Sequence, residues 1–349
     1  ATVERAQSVP LAKKTTLGVG GNAREFAVAT CEADVVEAVR WAREHDVALH
    51  VLGGGSNIVV ADAGVAGLVL SIALRGIDWL DDGRAVVAAG EPWDAFVRQA
   101  VERGLAGVEC LSGIPGLTGA TPIQNVGAYG QEVSESIERV HALDRRTGER
   151  IELDNRECAF AYRDSFFKSR APNRFVVLRV EFRLRPGGAP KVRYAELERE
   201  LSGAPSLADL RRTVLGLRGK KSMIFDLADE NGRSCGSFFV NPIVSAERAA
   251  TFDDANMPRY PQPDGRVKLS AAWLIEHSGL ARGARDGAVG LSTKHTLCIV
   301  ARDGARACDV VRFAARVRKT VLDRFGISLE PEPVFWGFGP SVGGLPLVD

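Results

Sequence analysis

The segment GRSCGSFFVNP, residues 232–242, sets Cys235 two positions before Ser237 among glycines and aromatic residues. Either side chain could serve as a nucleophile, which would make the protein a serine or cysteine hydrolase. Activating either one needs a base, ordinarily histidine, within hydrogen-bond reach. The chain offers only His45, His50, His141, His277 and His295, and none stands in a recognisable triad pattern. GPSVG (339–343) matches the G-x-S-x-G nucleophile elbow, but an esterase of that fold keeps its Asp and His downstream, and only GLPLVD follows. The elbow is therefore rejected, and Cys235 is read as a small buried hydrophobe.

Glycine-rich loops carry a different chemistry. GVGGNA (18–23) matches the G-x-G-x-x-A dinucleotide fingerprint. That loop works only between a buried strand and a helix N-terminus. Here AKKTTL precedes it and the alternating run REFAVAT follows, so it is read as a turn. VLGGGSNIVV (51–60) reads as strand, glycine turn and strand, with a plain hairpin as the bland alternative. Three glycines let backbone approach a ligand and aim amides at an anion, and Ser56 and Asn57 add donors. A second segment, LSGIPGLTGATPIQNVGAYGQE (111–132), shifts the balance toward a ligand. Its Ser112, Thr118, Thr121, Gln124 and Asn125 offer polar contacts, and so long an uncharged loop has little reason to exist unless it wraps something. Two such loops fit a large cofactor cradled by backbone.

These loops need a scaffold, and 349 residues predict two or three domains. Val35, Val36, Val39 and Ala42 mark a helix over 32–46, and Trp93, Phe96, Val97, Ala100 and Val101 another over 92–104. Val310, Ala314, Val317 and Val321 mark a third that stops at Gly326. Strands are expected at 138–143, 151–153 and 175–184, a turn or linker at 185–190, and a helix start between Ser206 and Asp209. Mixed α+β fits better than regular βαβ alternation. Lys plus Arg (45) nearly balances Asp plus Glu (44), so no nucleic-acid partner is indicated. No apolar run reaches membrane-spanning length, the start lacks a signal-peptide core, and six scattered cysteines show no metal spacing. A cytoplasmic, monomeric protein with reduced thiols, no bound metal and no membrane partner is expected.

TTLGVGG, LGGGSN, GIPGLTGATPIQNVGAYG, YRDSFFK, GSFFVNP and LEPEPVFWG occur in that order along nearly the whole chain. Together they resemble the bacterial UDP-N-acetylenolpyruvoylglucosamine reductase family, flavoenzymes of peptidoglycan precursor synthesis. The resemblance implies the FAD-binding fold of the PCMH-type flavin oxidase/reductase superfamily, made of two α/β subdomains, with a separate α+β substrate-binding domain. It places the first subdomain at 1–72, the second at 73–222 and the substrate domain at 223–332, with the tail 333–349 packing back on the first. Flavin contacts are implied for Gly53, Gly54, Gly55, Ser56, Asn57 and Ile58. The second loop adds Ile114, Gly116, Gly119, Ala120, Thr121, Gln124, Gly127, Ala128 and Tyr129. Related oxidases carry a flavin-linking histidine in the first loop; Ser56 and Asn57 stand here, so noncovalent FAD is implied.

By the same resemblance Arg163, Ser237 and Glu332 take the catalytic places, and Tyr129, Tyr162, Arg163, Tyr194, Lys221 and Asn241 face the substrate, UDP-N-acetylglucosamine enolpyruvate. AYRDSFFK followed by Tyr194 is similar to the type-I pattern, whose tyrosine loop closes over substrate. NADPH is implied as co-substrate: it reduces FAD, whose N5 then delivers hydride to the enolpyruvyl methylene carbon. The chemistry asks for such side chains: fixed positive charge from Arg163 for the enolate-like intermediate, a protonated Glu332 on the carboxylate, and a proton from Ser237. Val240, Pro333 and the segment KSMIFD after Lys220 depart from the family pattern. Each residue also has a bland reading: Arg163 in a surface ion pair with Asp164, Glu332 at a strand start, Ser237 on a strand edge. A flavin oxidase of another small substrate, a non-catalytic flavin protein and a hydrolase are the alternatives.

Overall fold

The computed structural model describes residues 3–339, 341–342 and 345–346. The chain divides into two compact units. The first comprises the residues up to Val9, Ala23–Gly55 and Val65–Ile224; the second comprises Pro10–Asn22, Ser56–Gly64 and the chain from Phe225 onward.

In the first unit, Asn22–Ala29, Val65–Ile72 and Leu49–Leu52 form a parallel set, with Arg5–Pro10 completing the sheet beyond Asn22–Ala29. The crossover between the outer two is the helix Glu32–Glu44, which buries Val35, Ala38, Val39 and Ala42. That stripe follows i, i+3, i+4, i+7 spacing, so Ala38 takes the inward place expected for Val36. A five-stranded antiparallel sheet follows, ordered Arg150–Asp154, Ile137–Asp144, Phe175–Arg183, Arg84–Ala88, Ile77–Trp79. Helix Trp93–Glu102 buries the five apolar residues expected of it. Phe96 and Phe182 pack with ring centroids 4.8 Å apart, and Trp79 and Trp93 each lie 5.6 Å from Phe96. Helix Leu207–Lys220 starts with the expected reciprocal cap, Asp209 N–H to Ser206 Oγ (3.1 Å) and Ser206 N–H to Asp209 Oδ2 (2.9 Å). The segment expected as a turn at 185–190 contributes a two-residue strand, Arg185–Pro186, paired with Leu105–Ala106.

In the second unit, helix Ala307–Phe325 buries Val310, Phe313, Ala314, Val317 and Val321 and ends at Gly326, whose φ of +64° favours glycine. Its first amides, Ala307 and Cys308, donate to the two carboxylate oxygens of Asp62 at 2.8 and 3.0 Å. Ile58–Val60 pairs in parallel with Val334–Trp336. The two strands of VLGGGSNIVV thus do not form a hairpin: Leu49–Leu52 pairs with Val65–Ile72, and Ile58–Val60 with a strand far down the chain. GVGGNA is a turn followed by a strand, as its flanks imply. All six cysteines are free thiols, and no helix among the described residues is long and apolar enough to cross a membrane. The GPSVG serine motif and the end of the tail lie partly outside the described residues.

Phe96→Ala should lower unfolding stability by about 3–5 kcal/mol, because a fully buried ring shared by Trp79, Trp93 and Phe182 leaves a cavity that this rigid cluster fills poorly. Denaturant titration of the variant, read on its first unfolding transition, checks this.

Candidate active site

The two glycine loops meet in the first unit. A Cβ on Gly54 would lie 2.7 Å from the Gly116 Cα, and one on Gly119 would lie 2.5 Å from the Ala89 Cβ. Side chains do not tolerate such distances, so these positions need glycine. Gly53 stands 3.9 Å, as a virtual Cβ, from Ala120. The second loop is docked on the start of helix Trp93–Glu102: the Trp93 N–H donates to Gly116 O (3.0 Å) and its indole Nε1–H to Leu111 O (3.0 Å). Ile114 packs half-buried against the core, which anchors the loop between these two contacts.

The loop's hydroxyls serve the loop. Ser112 donates to Glu109 O, Thr118 to Glu91 O and Thr121 to Thr118 O, at 2.7, 3.0 and 2.8 Å. Asn125, buried at φ +46°, donates to Glu132 Oε2 and Ala161 O and accepts from the Ser134 N–H. Of the polar side chains singled out in this loop, only that of Gln124 is part-exposed, accepting from Lys168 Nζ at 3.3 Å. What the two loops present is therefore mainly backbone. Neither Gly53–Ile58 nor Gly113–Gly130 contains a charged residue of its own. Backbone without charged side chains of its own suits the pyrophosphate and isoalloxazine of a flavin dinucleotide.

Gly127–Ala128 and Gln131–Glu132 form a short hairpin whose turn residues, Tyr129 and Gly130, both have positive φ (+49° and +76°). Such a turn twists with its strands, and here it holds the Tyr129 ring at a defined place. The Tyr194 ring meets Tyr129 edge-on at 5.6 Å and is 40% exposed. Burial, offset by Arg218, pushes the Tyr129 phenol up to about 12, so it is neutral at working pH. Lys221 Nζ pairs with Glu196 at 2.8 Å and lies 5.6 Å from the Tyr129 ring centre.

Arg163 sits on the same side of this unit. At φ +49° its backbone is strained for a non-glycine, and the turn around it is closed by Ala161 pairing with Asp164. Its guanidinium donates to Gly127 O at 2.8 Å and stacks over Tyr162, 5.1 Å from the ring centre. Lys168, on the wide helical turn Phe166–Arg170, donates to the Arg163 carbonyl at 2.8 Å. The guanidinium is thus aimed by the glycine hairpin and only half-exposed.

The second unit holds Ser56, Asn57, Ile58, Ser237, Asn241 and Glu332. Phe239 pairs antiparallel with Pro331, the Glu332 N–H donates to Phe238 O (2.8 Å), and the Val240 N–H donates to Glu330 O (3.0 Å). GSFF and LEPE therefore lie side by side, with Glu332 opposite Phe238, the residue after Ser237. Asn57 joins them: its Nδ2 donates to Glu332 O (3.4 Å) and its carbonyl accepts from the Val334 N–H (3.0 Å). Asn241 Oδ1 accepts from the Ala271 N–H at the start of helix Ala271–Glu276, so part of its amide is committed to that helix. Cys235 is 4% exposed, and burial, with Cys298 and Glu332 nearby, pushes its thiol far up. It is a packing residue. Burial of this kind counts against the thiol-nucleophile alternative.

Some residues that build the site escaped the sequence reading. Asp94 accepts from the Gly113 N–H (2.6 Å) and pairs with both nitrogens of Arg211 (2.7 and 2.9 Å), tying loop to helix. An acid in a helix's first turn is too common to stand out. Glu109, fully buried, accepts from the Gly107 and Lys191 N–H groups at 2.6 and 3.0 Å. Its sole warning was a lone acid in the apolar stretch AGVECL.

Comparison with known proteins places the architecture in a class. Residues 23–154 match the FAD binding domain family, and residues 227–336 match UDP-N-acetylenolpyruvoylglucosamine reductase, C-terminal domain. The protein is a flavin-binding oxidoreductase with a PCMH-type FAD-binding fold of two α/β subdomains and a separate C-terminal domain. UDP-N-acetylenolpyruvoylglucosamine reductases of Streptomyces avermitilis and Thermobifida fusca are 47% and 46% identical to it. Those matches cover 96% of this chain in both cases, and 96% and 99% of the two relatives. The crystal structure of UDP-N-acetylenolpyruvylglucosamine reductase from Thermus caldophilus aligns with a TM-score of 0.67 at 27% identity, over 96% of this chain and 98% of that one. The chain belongs to the UDP-N-acetylenolpyruvoylglucosamine reductase family.

Asp94 yields a pH prediction. Although desolvation opposes it, hydrogen bonds from Arg211 and Gly113 hold its carboxyl below the usual range. A depressed carboxylate contributes stability above its unfolded pKa of about 3.9 and loses it as pH falls through the folded value. The wild-type protein should keep its flavin at pH 5 and release it only on stronger acidification, whereas Asp94→Ala should release flavin more readily even at pH 7. Flavin fluorescence in the ultrafiltrate measures both.

Proposed function

We propose that this protein reduces the enolpyruvyl C=C bond of UDP-N-acetylglucosamine enolpyruvate to give UDP-N-acetylmuramate, with NADPH as the electron source. The names of its relatives supply the substrate class, and the observation that supports the mechanism best is the pairing of GSFF with LEPE, in which the Glu332 N–H donates to the carbonyl of Phe238, the residue after Ser237. Bound noncovalently, FAD supplies the hydride. Gly53, Gly54, Gly55, Ser56, Asn57 and Ile58, with the 114–129 loop, are the groups that would hold it, and no histidine stands in the first loop to link it.

The chain's own residues manage the charge and the proton. As a hydride arrives at the methylene carbon, negative charge develops on the neighbouring carbon and its carboxylate. Arg163, aimed by Gly127 O, provides fixed positive charge for that carboxylate, and its planar fork matches two oxygens. Glu332, held protonated, donates a hydrogen bond to the same group. Ser237 Oγ–H delivers the proton that completes the saturated product, and the alkoxide recovers a proton from solvent or a neighbour. Residues 223–332 bind the sugar nucleotide with Asn241; Tyr129, Tyr162 and Lys221 complete the contacts, and Tyr194 closes over it.

Anaerobic half-reactions test the proposal. NADPH should bleach the flavin, and the enolpyruvyl sugar nucleotide should restore its colour. Ser237→Ala should bleach normally but recover colour roughly 10²- to 10⁴-fold more slowly, the range expected for losing a positioned acid. Equal loss in both half-reactions would show that the serine shapes the protein and does not donate.

Tyr194→Phe should weaken substrate binding more than it slows hydride transfer, because the hydroxyl it removes contributes a contact to substrate and not chemistry. Titration of the oxidised enzyme with substrate, followed by flavin absorbance, gives the affinity; an unchanged Kd counts against the lid.

A further inference from the structure

The proposed proton donor sits in a segment with little regular structure to hold it. Between Asn231 and Ser237 the chain passes Gly232 and Gly236, the latter at φ +72°, and Ser237 meets its neighbour through a single pairing with Cys298. The Phe238 N–H donates to Leu297 O at 2.7 Å. The partner segment is itself a loop: Thr293 and Lys294 are exposed, and the Ser292 hydroxyl takes the Lys294 and His295 N–H groups at 3.1 and 3.3 Å. Irregular segments with so few pairings rely on further ties for their register, such as the Ala301 N–H to Arg233 O bond at 3.0 Å.

Asn231 adds a tie with both ends of its amide. Its Oδ1 accepts from the Thr293 N–H at 2.9 Å, and its Nδ2 donates to Thr293 Oγ1 at 2.9 Å. The side chain is 1% exposed, and its own N–H is held by Asp229 Oδ1 at 2.9 Å. This two-point clamp reaches across 62 residues and joins the base of the serine segment to the base of the loop that pairs with it. Gly232, next to the clamp, packs against the Asp226 carbonyl so closely that no side chain fits.

We infer that Asn231, clamped on Thr293, is a positioning residue that holds the Ser237 hydroxyl in register for proton transfer. The inference rests on the reading of Ser237 as proton donor. A hydroxyl displaced by about 1 Å loses about 10²-fold in rate while substrate and flavin still bind.

The test uses the flavin-loaded, full-length protein under anaerobic conditions. Asn231→Ala should slow recovery of flavin colour by the enolpyruvyl sugar nucleotide at least about tenfold, with bleaching by NADPH and substrate Kd within about twofold of wild type. Thr293→Val should behave alike. Asn231→Asp should restore most of the rate, because a carboxylate accepts from both the Thr293 N–H and its hydroxyl. Adding Asn231→Ala to Ser237→Ala should slow recovery no further. Wild-type recovery in Asn231→Ala, parallel loss in both half-reactions, or failure of Asn231→Asp to rescue would each overturn the inference. Ser237→Ala recovering colour at the wild-type rate would overturn the reading of Ser237, and the inference with it; a slow Ser237→Ala beside a fast Asn231→Ala would overturn the inference alone.

Discussion

A methyl group on Gly54 would stand 2.7 Å from the Gly116 Cα, and the arrangement of the first unit follows from that close approach of backbone to backbone. Loops that meet without side chains present amides and carbonyls instead, which is the surface a flavin dinucleotide needs. Bare backbone is entropically costly to order, so the loop must be held from behind. Trp93 holds it with two hydrogen bonds, Asp94 with one more, and the hydroxyls of Ser112, Thr118 and Thr121 turn to the carbonyls of Glu109, Glu91 and Thr118. The polar residues of the loop thus make the cradle more than they line it.

The second unit meets a similar demand with pairing. Segments around Asn57, Ser237, Cys298 and Glu332 form a set of short ladders, none long enough to be stable alone, with Phe238 and Phe239 buried among them. Short pairings of this kind depend on side-chain ties such as the Asn231–Thr293 clamp and the Asp62 cap of the long helix. Where backbone ladders are brief, buried amides and carboxylates take over the work of register.

Titratable groups fall into distinct roles. The Arg163 guanidinium is half-exposed and aimed by Gly127 O, while burial pushes the Tyr129 phenol up. Cys235, two residues from the serine, is driven toward the neutral thiol chiefly by desolvation. A reactive thiolate beside the proposed proton donor would compete with it, and its surroundings prevent one.

The helices at 32–44, 93–102 and 307–325 were legible because periodicity is a local property, written into the spacing of Val35, Phe96 or Val317. Motif order likewise pointed to the flavin fold and to Arg163, Ser237 and Glu332. What the chain's own residues could not announce was partnership. Nothing near Ile58 says that it pairs with Val334 and not with the strand just before it. Nothing near Thr121 says that its hydroxyl turns back to Thr118, and nothing near Asn231 names Thr293. Residue type and spacing determine which elements form and which groups can do chemistry. Which hydrogen bond each group makes is decided only when distant segments return and compete for it, so register, caps and clamps belong to the tertiary structure.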